Sequence, residues 1–147
     1  GRERQPFPVP NDAREPCQFV IGDGDKRLGI RTDTGRSTQH IESCLDNCEA
    51  LILECNHDPQ MLAEGPYPPS LQARVGGALG HLSNGQSAEL LARLEVGRLQ
   101  HLVAAHISEK NNRPELAAAA LSESIGCEPE WIALAAQDSG LDWRDIQ

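Results

Sequence analysis

Aromatic residues, basic charge and long apolar runs are all scarce in this sequence. Phe, Trp and Tyr make up only 3% of its 147 residues, so the core must be built from aliphatic side chains. The 13 Lys and Arg residues stand against 22 Asp and Glu residues, a net charge of -9, which excludes a broad basic face that would attract nucleic acid through charge alone. No apolar run approaches the roughly 20 residues of a membrane-spanning helix, so no membrane partner is expected.

The cysteine pattern argues against a disulfide framework. There are five, an odd number, at irregular spacing: Cys17, Cys44, Cys48, Cys55 and Cys127. This usage is typical of reduced thiols and predicts a cytoplasmic protein. Cys44 and Cys48 would lie one helical turn apart, which suits either a metal pair or two small apolar side chains on a buried helix face.

The chain alternates strand and helix patterns after a Pro-rich, charged start. Residues 1–16 are predicted to be an extended entry segment, and residues 17–147 a domain. Two β-prone runs around "DGD" predict a hairpin, and "ALILE" is a continuous buried strand of the kind that parallel sheets use. Helices are predicted in residues 37–48, in "PSLQARVGGALG", from Ser83 or Asn84 to Gly97, and from an Asn112 cap to Gly126; "LQHLVAAH" and "EWIALAA" are further strands. The fold class is therefore α/β, with strands feeding helices.

Polar side chains follow three of the predicted strands. Asp33 ends "RLGIRTD", Glu54 ends "ALILE" and His106 ends "LQHLVAAH", while His57 and His81 lie in loops expected on the same side. Open α/β sheets build their sites at the carboxyl ends of their strands. Taken singly, each residue also has a structural explanation, such as a turn cap, a solvent-reaching strand end or a core histidine. Their joint occurrence indicates a site.

These segments resemble the metallo-β-lactamase-fold hydrolases, and in particular the YycJ-like (WalJ-like) branch related to RNase Z and to the cyclic phosphodiesterase of phosphonate breakdown. The resemblance is carried by "TDTG", "LILECNHDPQMLAEGPYPPSL", "GHLSN" and "HISEKNNRPELA". It implies that the chain is the C-terminal half of a four-layer αββα sandwich.

The resemblance also implies roles for individual residues. Asp33 would bridge two divalent metal ions, zinc or manganese, and His106 would complete the coordination of one of them. Glu54 and His81 would form an acid pair in which the carboxylate orients the imidazole and the imidazole protonates the leaving oxygen. After Glu54 the chain is expected to leave the sheet as a turn-rich loop that shapes the pocket rim. Substrate or rim positions would be His57, Ser83, Asn84, Ser108, Asn111 and Asn112, although His57 could equally be a structural loop residue.

Two features depart from the family pattern. The ligand motif HxHxDH is absent, and Asn11 stands where the family has a metal-ligating His; an amide oxygen is a poor replacement for imidazole on zinc. We therefore expect the 147 residues, which begin at Gly1, to be the C-terminal half of a longer enzyme that binds little or no metal by itself. A natural pseudo-enzyme is the alternative. Such a half should self-associate or stay bound to its N-terminal partner.

The function expected from these observations is metal-dependent hydrolysis of phosphodiesters, with nucleic acid or a small phosphodiester as substrate. Two alternatives remain open at this point. One is a hydrolase of small esters or thioesters, since one fold serves many chemistries. The other is a non-catalytic binding or scaffold domain, which the missing ligands favour.

Overall fold

A computed structural model describes residues 3–6, 19–22, 26–31, 39–77 and 80–135 of the chain. In this part the strands form one six-stranded sheet in sequential order. The first three strands pair antiparallel and the last four pair parallel, so the sheet is mixed and the α/β prediction is confirmed. The strands are β1 (Glu3–Pro6), β2 (Phe19–Gly22), β3 (Arg27–Arg31), β4 (Ala50–Glu54), β5 (His101–Ala105) and β6 (Ala133–Leu134).

Helices connect the parallel strands, and local sequence signals set their ends. They are α1 (Gln39–Leu45), α2 (Pro59–Glu64), α3 (Pro69–Val75), α4 (Asn84–Arg93) and α5 (Pro114–Ile125), followed by a short 3-10 helix at Pro129–Trp131. A capping box begins α4: Ser83 Oγ accepts from Gln86 N at 3.1 Å and Gln86 Oε1 accepts from Ser83 N at 2.8 Å. Gly126 ends α5 in the left-handed conformation, with φ 70. No helix in these ranges combines the length and apolarity needed to cross a membrane.

The main core lies between the parallel strands and the helices on one face of the sheet. Leu51 pairs with Leu102 and Leu53 with Ala104, and all four side chains are buried in a single cluster with residues of α1, α4 and α5. On neighbouring β3, a Cβ at Gly29 would lie 2.7 Å from a methyl group of Leu45 and 2.9 Å from one of Leu51. Glycine is needed there because α1 packs directly on the strand.

A second apolar face follows from strand alternation, because successive side chains point to opposite sides of a sheet. Ile30 pairs with Ile52, and Ile52 with Val103, at positions that alternate with the core residues of the same strands. Leu28 and Ala133 extend this row along the sheet. Leu28, Ile30 and Ile52 are only half-buried. The sheet thus offers apolar side chains on both faces.

The sequence predicted most of these elements, and the predicted hairpin is confirmed by the antiparallel pairing of β2 with β3. The prediction of a turn-rich loop after Glu54 is wrong, because helix α2 forms there. The helix begins at a cap in which Asp58 Oδ2 accepts from Met61 N at 3.0 Å, and Pro59 occupies its first turn. The predicted entry segment also contains a strand, β1.

Two predicted helix boundaries are also corrected. The helix expected to run to Gly97 ends at Arg93, since the Leu94 backbone turns extended, with ψ 153, and the Leu94 side chain packs into the core. Asn112 is not the cap of α5; the capping position belongs to Arg113, which makes no side-chain capping bond. The Asn112 side chain is used elsewhere, as described below.

Candidate active site

The carboxyl ends of β4 and β5 and the loop before α4 converge on one place. Hydrogen bonds continue from β4 into the next residues: Cys55 N donates to Ala105 O at 2.9 Å and Asn56 N donates to Leu82 O at 2.8 Å. His57 and Ser83 then pair as an isolated parallel bridge. This ladder holds the loop that carries His81 beside the end of the sheet.

Glu54 is the centre of this site. Its side chain is fully buried, and its Oε1 atom lies 3.3 Å from His81 Nδ1 and 3.2 Å from His106 Nδ1. Its Oε2 atom accepts a hydrogen bond from Leu82 N at 2.7 Å. A carboxylate can only accept, so both rings donate through Nδ1, and Nε2 is the nitrogen that faces away from Glu54. The His81 and His106 side chains are 43% and 51% exposed, so both rings reach from a buried anchor to the surface.

The backbone of His106 is in an uncommon conformation. Its φ is 56, in the left-handed region that non-glycine residues rarely adopt. Asn56 Nδ2 donates to the His106 carbonyl at 3.1 Å, which helps to hold the conformation. Such backbone strain occurs preferentially at functional sites. The turn directs the imidazole back to Glu54 at the point where β5 ends.

Arg31 is a buried residue near this carboxylate that sequence reasoning missed. It ends β3 and is fully buried. Burial lowers the pKa of its guanidinium to about 10, while the negative charges of Glu54 and Glu42 act in the opposite direction. Arg31 thus supplies positive charge close to the buried carboxylate. The available signal was a basic residue at the end of a strand, two positions before Asp33.

His57 is almost completely buried, with 3% of its surface exposed. Its Nδ1 atom lies 3.2 Å from Asn56 Oδ1. Because the Asn56 amide nitrogen donates to His106, the oxygen of that amide is the group that faces His57, and it can only accept. His57 therefore carries its proton on Nδ1, and its Nε2 is an acceptor.

The surroundings of His57 favour this neutral ring. Burial lowers the pKa of His57 and the nearby His81 lowers it further, while Glu54 and Asp58 act in the opposite direction. His57 also lines a cavity of about 490 Å³ between α2, α3 and the start of α4. Of the predicted rim residues, Ser83 lines the same cavity. The site and the cavity thus share the wall formed by the two bridged residues.

Asn84 and Asn112 form a buried pair behind the site. Asn84 Nδ2 donates to Asn112 Oδ1 at 2.8 Å, and Asn112 Nδ2 donates to Asn84 Oδ1 at 2.9 Å and to Cys55 O at 2.8 Å. Arg113 N also donates to Asn112 Oδ1, at 2.8 Å. These amides join the starts of α4 and α5 to the end of β4. Their predicted contact with substrate stays a prediction.

Ser108 and Asn111 belong to the loop after β5. Ser108 N donates to Asn56 O at 2.9 Å, and Ser108 Oγ accepts from Asn111 N at 3.1 Å. The Asn111 carbonyl accepts from Asp58 N at 2.9 Å, which ties this loop to the start of α2. The two residues are thus part of the scaffold around the site, and their substrate role likewise stays a prediction.

His106 is the predicted metal ligand that lies among the described residues. Asp33 and Asn11 lie outside the described residues. His106 has the arrangement usual for a ligating histidine, with one ring nitrogen bonded to a carboxylate and the other directed outward. Among the described residues, no group of three or more His, Cys, Asp or Glu side chains could hold a metal ion. These residues alone therefore do not fit a metal centre, and His106 could contribute only one ligand to it.

Curated proteins of two bacterial species are similar to this chain over most of its length, while no protein-family model matches it. The exodeoxyribonuclease YycJ of Bacillus anthracis is 32% identical over 123 residues, which cover 84% of this chain and 47% of that protein. The exodeoxyribonuclease WalJ of Streptococcus pneumoniae serotype 2 is 34% identical over 111 residues, covering 76% of this chain and 41% of that protein. The chain thus spans about half the length of the curated relatives it matches.

Solved structures show the same fold. The metallo-β-lactamase-fold protein YhfI of Bacillus subtilis superimposes with a TM-score of 0.54 at 16% identity, over 86% of this chain and 43% of that one. Zn²⁺-bound PqqB of Methylobacterium extorquens gives a TM-score of 0.55 at 20% identity, over 97% of this chain and 47% of that one. The predicted fold class is confirmed, and the chain is a YycJ/WalJ-like protein with the metallo-β-lactamase fold that spans about half the length of these relatives.

Proposed function

We propose that this chain is the C-terminal half of a metal-dependent phosphodiesterase of the nuclease type, in which Glu54 orients His81 as a proton donor and His106 as a metal ligand. One observation carries the proposal: a single buried carboxylate oxygen contacts the Nδ1 atoms of both half-exposed histidines. Because Glu54 anchors both rings, the distance between the proposed proton donor His81 and the proposed metal ligand His106 is fixed. In-line displacement at phosphorus requires such fixed positions of its catalytic groups. The relatives named exodeoxyribonucleases make DNA ends the substrate to test first.

The residue types suit this chemistry. His81 would carry a proton on Nε2, the nitrogen that faces away from Glu54, and give it to the leaving oxygen as the phosphorus–oxygen bond breaks. Glu54 would stabilise the doubly protonated ring before transfer and hold the neutral ring afterwards. Histidine suits this role because its ordinary pKa lies near neutral pH. The metal ions, when bound, would supply a hydroxide nucleophile near neutral pH.

The remaining parts of the site would come from outside the described residues. In this proposal Asp33 would help to hold two divalent ions, zinc or manganese, and the other ligands would belong to an N-terminal half. Residues 1–16 would form the entry segment and residues 17–147 the C-terminal half of the hydrolase domain. The isolated chain would bind little metal, since structural and catalytic zinc sites use three or four protein ligands. We place the complete enzyme in the cytoplasm, where the cysteines would stay reduced.

The second apolar face of the sheet supports the two-part arrangement. Leu28, Ile30, Ile52 and Val103 form a row on the face opposite the helix-covered core. In a four-layer sandwich this face packs against a second sheet, and the N-terminal half or another copy of this chain would cover it.

A direct test uses the complete protein that contains this chain, purified with its metal content measured. End-labelled single-stranded DNA, double-stranded DNA and RNA would be compared with a small phosphodiester and a nitrophenyl carboxylic ester. The proposal expects metal-dependent release of nucleotides and little ester cleavage. Cleavage of the ester alone would favour the small-ester hydrolase. A folded protein that binds no metal and hydrolyses none of the substrates would favour the binding or scaffold domain. The supporting observation for that alternative is the absence of a complete metal-binding group among the described residues.

A further inference from the structure

The cavity beside His57 is suited to a ligand but has no role in the chemistry proposed above. Its volume of about 490 Å³ lies within the roughly 300–1,000 Å³ typical of small-molecule sites. Helices α2 and α3 form its walls, and the bridged residues His57 and Ser83 close it on the side of the active site. Ser83 is two positions after His81, so a group bound in the cavity would lie next to the proposed proton donor.

The lining of this cavity selects against charged groups. No Asp, Glu, Lys or Arg side chain lines it among the described residues, and Pro59, Leu62 and Pro69 give it apolar walls. A phosphate would lose its hydration there without gaining an opposite charge. A flat, uncharged ring would instead bury its faces against the proline and leucine side chains. The cavity is therefore unsuited to the phosphate backbone and suited to a base.

Four polar side chains line the cavity, and two of them, His57 and Gln72, present hydrogen-bond acceptors. His57 carries its proton on Nδ1, so its Nε2 atom accepts, and no hydrogen bond from the described residues reaches that atom although the side chain is 97% buried. Gln72 uses its Nε2 atom to donate to the Tyr67 carbonyl at 2.9 Å, which leaves its Oε1 atom as an acceptor. Acceptors in an apolar cavity require a ligand that brings N–H donors, since an unmatched buried acceptor costs binding free energy.

We propose that this cavity is a nucleobase subsite, which takes the base next to the scissile phosphate and favours bases with an exocyclic amino group. The inference rests on the proposed nuclease function and adds to it the part of the substrate that is recognised. The amino groups of adenine, cytosine and guanine can donate to His57 Nε2 or Gln72 Oε1. Thymine has no such amino group and presents only its ring N–H.

The test uses the complete protein and places a bulky side chain at the edge of the cavity. Ala73 lines the cavity from α3 but is exposed, so Ala73→Trp adds volume there without overpacking the core. Ala92→Trp makes the same change at an exposed position of α4 outside the cavity and is the matched control. Initial rates would be measured on four oligonucleotides that differ only in the terminal base, and binding of dAMP and of inorganic phosphate would be measured separately.

The native protein and Ala92→Trp should favour amino-bearing bases over thymine by about tenfold, the effect of roughly one hydrogen bond. Ala73→Trp should raise KM with little change in kcat, abolish the base preference and weaken dAMP binding, while phosphate should not compete with dAMP for the cavity. Equal rates on all four bases together with an unchanged KM in Ala73→Trp would overturn the subsite. If no oligonucleotide is cleaved, the nuclease proposal fails, and dAMP binding then decides the subsite alone: loss of binding in Ala73→Trp supports it, and absence of binding to the native protein refutes it.

Discussion

Replacing Glu54 by glutamine tests the centre of the site, because the change keeps the shape of the side chain and alters only its hydrogen bonding. One carboxylate oxygen faces the Nδ1 atoms of His81 and His106, and the other accepts from Leu82 N at 2.7 Å. An amide has one oxygen and one NH2 group, so with the native proton positions Glu54→Gln places a donor against a donor on one side or the other. A buried donor without an acceptor costs about 1–3 kcal/mol, and this is the destabilisation we expect.

The same substitution should also abolish the proposed chemistry in the complete protein. If the NH2 group faces the histidines, both rings must move their proton to Nε2 to accept on Nδ1. His106 would then lose the lone pair with which it binds metal. If the NH2 group faces Leu82 instead, the two rings share a neutral amide oxygen, which stabilises a protonated His81 less than a carboxylate does. Either orientation lowers the rate.

Urea denaturation measures the effect on stability, at one fixed protein concentration because self-association shifts the midpoint. Glu89→Gln is the matched control, since it makes the same change at an exposed position of α4 and should stay within about 0.5 kcal/mol of the native protein. A Glu54→Gln variant with the native midpoint, slope and activity would refute the reasoning that this carboxylate organises the site.

Three further predictions concern the backbone, the thiols and the assembly. Gly126→Ala should lower the free energy of unfolding by about 1 kcal/mol, because φ is 70 there and a Cβ strains that backbone conformation. Gly97→Ala, with nothing near the added Cβ, should be close to neutral in the same urea assay, and equal effects of the two substitutions would contradict backbone strain at Gly126. Burial raises the pKa of Cys55 to about 12, so mass spectrometry should detect alkylation of the folded chain at half-buried Cys127 well before alkylation at Cys55. Equal alkylation rates at the two cysteines would contradict the burial of Cys55. Light scattering of the isolated chain should give a mass above its 16.0 kDa, because the second apolar face needs a partner; a monomer that binds no hydrophobic dye would argue against the two-sheet assignment.

The strand-end pattern predicted the centre of the site because it depends on topology rather than on detailed packing. A continuous apolar run such as "ALILE" predicts a buried parallel strand, and the polar residue that ends it must then lie at the carboxyl edge of the sheet. Glu54 and His106 end up beside each other for this reason, since β4 and β5 are neighbours in register. The same pattern placed the loop histidine His81 only on the same side of the sheet, and its pairing with Glu54 came from the family resemblance.

The sequence did not reveal contacts that depend on how distant segments pack. The two faces of β3 can be read from its alternation, but the burial of Arg31 near Glu54 depends on the neighbouring elements that cover it. The link between Asn84 and Asn112 joins residues 28 positions apart, and either asparagine alone looks like a helix cap. Helix α2 has two sequence signals, the Asp58 cap and the proline that follows it, but the nearby "GPYPP" favours turns and so obscures a helix of only six residues.

The most direct test of the central claim compares His81→Ala and His106→Ala in the complete protein, with His101→Ala at the opposite end of β5 as the control. Metal content and turnover on DNA ends would be measured for all three variants. We predict that His81→Ala keeps its metal and loses roughly 100-fold or more in kcat, the usual effect of removing a general acid. His106→Ala should lose both metal and activity, and His101→Ala should resemble the native protein. Equal loss of metal in His81→Ala and His106→Ala would make both residues ligands and contradict the division of roles around Glu54.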